Sequence, residues 1–252
     1  MNIKNEIKLI EKNKFASCIP LISADKSELL ADVKAAVENG CDFLEWRRDY
    51  FMKGAILKPE EELNILKEIK KRMKTQGLIY TYRSHLEGGA YETADAIREA
   101  SIKTAIESDV ADYVDVELES NDLFLARIRD VIKNNRTQWI ASHHNFNRTP
   151  NTQEIEKLYL SMEAKNADVL KLAVMPHTSE DIRHLIIANL LHNEGSKSPM
   201  INIAMGSLGG ITRIAPELCG GSMTYVLGTG KTAPGQMNLV EIIALREKLG
   251  LI

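Results

Sequence analysis

The sequence predicts an α/β fold, a single (β/α)8 TIM barrel, on three observations. Short apolar runs alternate with amphipathic segments about eight times. Each strand–helix unit takes roughly 30 residues, the length of a parallel strand with its crossover helix. Such units together fill the 252 residues, a length at which barrels of this kind form one domain. A doubly wound open sheet is the alternative, disfavoured because no Gly-rich dinucleotide turn follows the first apolar run. Residues 1–252 therefore read as one domain, with 1–14 an N-terminal extension over the barrel bottom and the active site at the C-terminal ends of the strands.

The elements follow from periodicity. A strand at Phe15–Leu21 precedes a helix marked by Leu30, Val33 and Val37. The strand Phe43–Arg47 leads to a helix with Leu66, Ile69 and Met73, and Leu78–Tyr82 to one with Ile97 and Ile106. Tyr113–Glu117 precedes Leu125, Ile128 and Ile132, and Gln138–Ser142 precedes Ile155, Leu158 and Met162. Val169–Val174 is followed by Ile182, Leu185, Ile186 and Asn189. After Met200–Ala204, Pro216 allows only a short helix within Ile211–Cys219. Met223–Leu227 and a helix with Leu239, Ile242 and Ile243 complete the series. Ser27, Thr152 and Thr178 are N-cap candidates, with Glu154 and Glu180 in first turns, where the helix dipole favours acids. Gly40 and Gly77 stand where left-handed C-caps want glycine.

Composition narrows the function. With 44% hydrophobic and 27% charged residues the chain has material for a core and no sign of disorder. A net charge of −3 gives no electrostatic case for nucleic acid or an anionic membrane. No apolar stretch approaches the ~20 residues of a membrane span, and the N-terminal segment is not a secretory signal. Three isolated cysteines, Cys18, Cys41 and Cys219, suit reduced thiols of a cytoplasmic protein rather than disulfides or a zinc site.

Lys171 is the residue least at home in this pattern. It interrupts the buried strand Val169–Val174, sharing a face with Val169 and Ala173 while Asp168, Leu170, Leu172 and Val174 take the other. A buried ammonium is costly unless paired or discharged, and a neutral amine attacks carbonyls, so the position points to imine chemistry. A structural lysine paired with Asp115 or Glu117, or one snorkelling to solvent, is the plain alternative.

Other awkward charges gather at strand ends. Parity puts Glu45 and Arg47 on one face with Trp46 on the other, and Asp115 and Glu117 on a single face. Arg83 follows the third strand, with Ser84-His85-Leu86-Glu87-Gly88-Gly89 behind it. Ser142 and His144 share the inward face, which makes His144 the acid/base candidate and sends His143 to the packing side. Adjacent histidines on a strand point apart, so no metal site is expected. A structural ion pair for Glu45 and Arg47, and a helix-capping role for Arg83, stay open. Against them stands coincidence: five strands ending in titratable side chains around one space suit chemistry. Arg213 offers a fork for a carboxylate, and Thr232 and Gln236 offer partners for hydroxyls, although loops after the seventh and eighth strands also suit phosphate.

Taken together these residues closely resemble type I 3-dehydroquinate dehydratase. The matching pieces are Glu45-Trp46-Arg47 with Asp49, Arg83 with Glu87-Gly88-Gly89, and Ser142, His144 and Phe146 with Thr149-Pro150. Lys171-Leu172-Ala173, Met205-Gly206, Arg213-Ile214 and Ala233-Pro234-Gly235-Gln236 continue in the family's order. The resemblance implies dehydration of 3-dehydroquinate to 3-dehydroshikimate in the shikimate pathway, with no cofactor. It implies Lys171 as the Schiff-base lysine, His144 as general acid/base and Glu87 as the acid orienting that histidine. It further implies Arg213 on the substrate carboxylate, Thr232 and Gln236 in a closing loop, and Glu45, Arg47 and Arg83 around the ring hydroxyls. A homodimer is implied as well. Thr232 departs from a common serine, His143 from a frequent tyrosine and Asn145 from a frequent aspartate, and Pro20 stands where some relatives offer a serine. The rival enzyme is a class I Schiff-base aldolase acting on a sugar phosphate. A non-catalytic barrel binding a small polar acid would keep Arg213 without needing Lys171 and His144.

Overall fold

The computed structural model describes residues 8–228, 230 and 232–252. Eight strands alternate with eight α-helices: β1 Ser17–Leu21, α1 Lys26–Glu38, β2 Phe43–Arg47, α2 Pro59–Arg72, β3 Gly77–Thr81 and α3 Asp95–Glu107. Then come β4 Tyr113–Glu117, α4 Asp122–Ile132, β5 Gln138–Asn145, α5 Thr152–Ala164, β6 Val169–Val174 and α6 Ser179–Gly195. β7 Met200–Ala204, α7 Gly210–Ile214, β8 Thr224–Tyr225 and α8 Leu239–Lys248 finish the chain. Every paired strand is parallel, in the order β7-β6-β5-β4-β3-β2-β1-β8. The ends of that ladder meet where the Ser222 N–H, just before β8, donates to the Met200 carbonyl of β7 at 2.7 Å. The result is a nearly closed barrel, as the alternation implied.

Strand parity divides the core into two layers. Leu44, Trp46, Leu170, Leu172 and Val174 point outward against the helices, joined by Leu29, Val33, Leu66 and Ile102. Phe43, Ile79, Tyr113, Ile140, Val169, Ile201 and Met223 point inward and fill the barrel. That filling makes the interior a packed core rather than a pore. Below it, the Ile10 N–H donates to Tyr113 Oη at 2.9 Å and Lys12 Nζ donates to the carbonyls of Asn193 and Ser196. Residues 8–14 thus run across the N-terminal strand ends; positions 1–7 of the expected extension lie outside the described residues. Among the described residues no helix is long and apolar enough to cross a membrane. Cys18, Cys41 and Cys219 are free and buried.

Several local expectations change. Asp25, with extended backbone, caps α1 in place of Ser27, because its carboxylate accepts the Glu28 N–H. Asn151 rather than Thr152 caps α5, paired reciprocally with Glu154, while Thr178 does cap α6. Gly40 takes its positive φ of 77° after α1. Gly77 instead begins β3, where a Cβ would stand 2.4 Å from the Phe43 ring. β5 runs on to Asn145, β8 shrinks to two residues, and Ile211–Cys219 divides into α7 and a 3-10 turn at Pro216–Cys219.

Candidate active site

Lys171, only 3% exposed, reaches up from the inner face of β6. Its Nζ donates to Asp115 Oδ2 at 2.7 Å and to Tyr225 Oη at 2.9 Å, with Glu45 Oε1 at 3.5 Å. The Asp115 partner foreseen for a purely structural lysine is therefore present, inside the cleft. Asp115 also takes Arg83 at 2.8 Å and the Ser142 hydroxyl at 2.6 Å. Burial works against its charge, but Arg83 and Lys171 prevail and hold its carboxyl below the ordinary carboxylate range. Arg83 donates further to Glu117 at 3.0 Å and to Ser142 Oγ at 2.7 Å. It is not a helix cap.

Arg47 is locked as a fork on Asp49, with both bonds at 2.8 Å, and also donates to the Gly88 carbonyl at 3.2 Å. Glu45 accepts from Thr81 Oγ1 at 2.8 Å. The Glu45–Arg47 ion pair left open by the sequence does not form. Trp46 packs outward, edge-on to Phe51 and Tyr80.

A short 3-10 turn, His85–Glu87, capped by Ser84, sets Glu87 beneath β5. Glu87 Oε2 accepts the His144 backbone N–H at 2.9 Å and faces His144 Nδ1 at 2.9 Å. Burial pushes the Glu87 carboxyl up to about 8, against the pull of Arg83. Burial, then Arg83 and Lys171, depress the His144 imidazolium well below the ordinary histidine range. His144 is thus neutral at pH 7 and held in one orientation. Phe146 stacks on it at 6.4 Å, and Gly88, with φ of 86°, leaves the space that a Cβ would take from Phe146. His143 turns away to Glu119 at 3.7 Å. Glu87, Glu119 and His143 bring one potential ligand atom each within 4.8 Å of one another. Glu87 is engaged by His144 through a hydrogen bond and Glu119 is exposed, so ordinary polar contacts account for that group.

Arg213, 1% exposed, comes from α7. Its guanidinium donates only to the carbonyls of Tyr225 at 3.2 Å and Pro234 at 2.8 Å among the described residues, and its Nε has no partner there. Without a carboxylate to offset it, burial lowers the guanidinium to about 10. Thr232 and Gln236 staple their own loop: Gln236 Oε1 accepts the Thr232 N–H at 2.7 Å and Gln236 Nε2 donates to Thr232 Oγ1 at 2.9 Å.

All nine candidate residues, Glu45, Arg47, Arg83, Glu87, His144, Lys171, Arg213, Thr232 and Gln236, line one cleft. Ala173, Ile203 and Met205 form its apolar wall. Tyr225 is a polar lining residue that the sequence did not single out, since an aromatic on a strand reads as core.

Comparisons with known proteins identify the family. Residues 17–250 match the family model "Type I 3-dehydroquinase". The chain is 34% identical over 230 residues to the 3-dehydroquinate dehydratase of Shouchella clausii, covering 89% of this chain and 88% of that one. It is 31% identical to that of Klebsiella pneumoniae over 93% of this chain and 92% of the relative. The crystal structure of 3-dehydroquinate dehydratase from Geobacillus kaustophilus superposes with a TM-score of 0.90 at 28% identity, covering 100% of this chain and 96% of its own. The type I enzyme of Clostridium difficile, solved with covalently modified comenic acid, gives 0.88 at 27% identity, covering 97% and 96%. With the family model matched over residues 17–250 and relatives 34% and 31% identical over most of both chains, the chain belongs to the type I 3-dehydroquinase family.

Proposed function

We propose that the protein is a 3-dehydroquinate dehydratase that captures its substrate as an imine on Lys171. The observation that carries this is the shared cleft, where a buried amine, an imidazole held by Glu87 and a guanidinium without a carboxylate partner among the described residues face one space. Arg213 takes the carboxylate, gaining the charged partner it lacks. The amine attacks the ring ketone, and loss of water gives a protonated imine, an electron sink beside the carbon to be deprotonated. His144 removes that proton as base and returns it to the departing hydroxyl, and water then hydrolyses the imine. The net change is loss of one water. Glu87 orients the imidazole, Glu45, Arg47 and Arg83 surround the ring hydroxyls, and Thr232 and Gln236 close over the ligand. The reading includes a small-molecule substrate and a cytoplasmic homodimer; sedimentation of the purified chain as a monomer would count against the dimer.

A sugar-phosphate aldolase wants free backbone amides after β7 and β8. Here the Gly206 N–H is bonded to Pro234 O, Gly209 N–H to Gly206 O, and the Thr232 and Ala233 N–H groups to Gln236 Oε1. Those bonds favour the keto acid. The test is borohydride treatment in the presence of 3-dehydroquinate, followed by peptide mapping. We expect a reduced adduct on Lys171, no adduct with Lys171→Ala, and a persistent adduct with His144→Ala. An active protein never labelled at Lys171 would sink the imine.

A further inference from the structure

The lysine must lose a proton before it can attack, and its strongest contact is a poor place to put one. Asp115 already serves Arg83 and Ser142 as well as Lys171, and its ionised form is favoured by both cations. The second contact is Tyr225. β8 turns this side chain into the barrel so that Lys171 Nζ donates to Oη at 2.9 Å, and Oη in turn donates to Glu45 Oε1 at 3.4 Å. Nζ stands 4.2 Å from the ring centroid. Thr81 fixes the far end by donating to the same Glu45 oxygen. Nζ also lies 3.5 Å from that Glu45 oxygen as an ion-pair contact, so amine, phenol and carboxylate form a buried triangle whose hydrogen-bonded path runs through Oη.

We propose that the Tyr225 hydroxyl is a catalytic residue that relays a proton between Lys171 Nζ and Glu45. The proposal rests on the imine reading above. In the forward step an N–H bond of the ammonium breaks and its proton passes to Oη. The phenolic proton moves at the same time to Glu45 Oε1. The amine lone pair is freed, tyrosine stays neutral and Glu45 becomes a neutral acid. Addition to the ketone gives an ammonium alkoxide; one N–H bond breaks and its proton passes to the alkoxide oxygen, and the neutral carbinolamine so formed must lose its hydroxyl. The proton held on Glu45 returns through Tyr225 to that oxygen, the C–O bond breaks, water leaves, and the nitrogen lone pair forms the C=N bond. Ammonium plus ketone gives protonated imine plus water, with charge conserved. Burial, and then the charge of Glu45, keep the phenol protonated, so its oxygen can pass protons on without carrying charge.

Tyr225→Phe keeps the ring and removes the relay. The measurement is the single-turnover rate of borohydride-trappable adduct with 3-dehydroquinate, followed by mass spectrometry between pH 6 and 9. We expect capture to slow by roughly 10- to 100-fold at pH 7 and to recover as pH rises and hydroxide takes over the proton. A ring that merely packs would leave that pH dependence unchanged. Glu45→Gln, which keeps Tyr225 but removes the acceptor, is expected to shift capture in the same sense, and it carries the test if Tyr225→Phe does not fold. Capture by either folded variant at the wild-type rate and pH dependence overturns the relay alone. No adduct on the wild-type chain overturns the relay together with the imine.

Discussion

Glu87 and His144 act as one titrating unit. Below pH 8 the buried carboxyl keeps its proton and presents it to Nδ1, which leaves the far nitrogen protonated and unable to accept. Once that proton is lost, the carboxylate takes the Nδ1–H instead, and Nε2 becomes a base. kcat/KM should therefore rise with pH to a plateau above about 8. In Glu87→Gln the side chain cannot titrate, so this limb should flatten and kcat fall about 10²-fold. An unchanged limb in the variant would assign it to another group. Stability follows the opposite sign. The folded state holds this proton more tightly than the unfolded chain, so its stabilising contribution is complete below about pH 4.3. That contribution is lost as pH rises through about 8, and above that pH Glu87→Gln should melt higher relative to the parent. At this scale the sequence was informative wherever parity decides: Lys171 and His144 point inward as strand alternation requires. Tyr225 escaped because side-chain chemistry and core packing are indistinguishable for an aromatic on a strand. The internal pairing of Arg47 with Asp49 escaped because both rotamers are tertiary facts.

Secondary structure was legible where one face is buried and the pattern repeats. β2, β4, β6 and β7 have the expected limits, since each alternates barrel-filling with helix-facing residues. Caps were less legible, because Asp25 and Asn151 compete with neighbouring hydroxyls and only backbone conformation selects between them. β8 was read too long because Met223–Leu227 is apolar apart from Thr224, although its ladder with β1 is short. The loops beyond β7 and β8 depend on glycine. Gly235, at φ of 80°, lies against Gly206, where a Cβ would come within 2.3 Å of the Gly206 carbonyl oxygen. The Gly206 N–H donates to Pro234 O at 3.1 Å, and the same carbonyl receives Arg213. Gly235→Ala should therefore push the two loops apart and loosen the grip of Arg213, Thr232 and Gln236. We expect KM to rise at least about 10-fold, since a lost charge-assisted contact costs about 1.5–3 kcal/mol, with kcat changed less. Steady-state kinetics at fixed pH measures this. An unchanged KM would mean that the loops do not act together.

The barrel as a whole is uneven in strength, and the weak place lies beside the site. β2 through β6 each hold two parallel neighbours. β8 has a two-residue ladder with β1, while among the described residues the segment just before it is joined to β7 by the backbone bond from Ser222 to Met200 and by side chains. Asn202 Nδ2 donates to the Gly220 carbonyl at 3.3 Å, and Tyr159 Oη donates to Asn202 Oδ1 at 2.9 Å. Arg213 itself donates across the gap to the Tyr225 carbonyl. The residue we propose to hold an anionic substrate thus also donates across the seam. A ligand that pairs with Arg213 should fix α7, β8 and the Ala233–Gln236 loop in one step, and leave the opposite wall unaffected. Hydrogen exchange followed by mass spectrometry should then find Thr224 and Val226 exchanging faster than amides of β3 and β4 in the free protein. With the borohydride-fixed adduct in place, exchange over 222–237 should slow by at least about 10-fold, one factor for each 1.4 kcal/mol of added local stability. Equal protection around the whole ring, or none, would mean that substrate capture and barrel closure are not coupled.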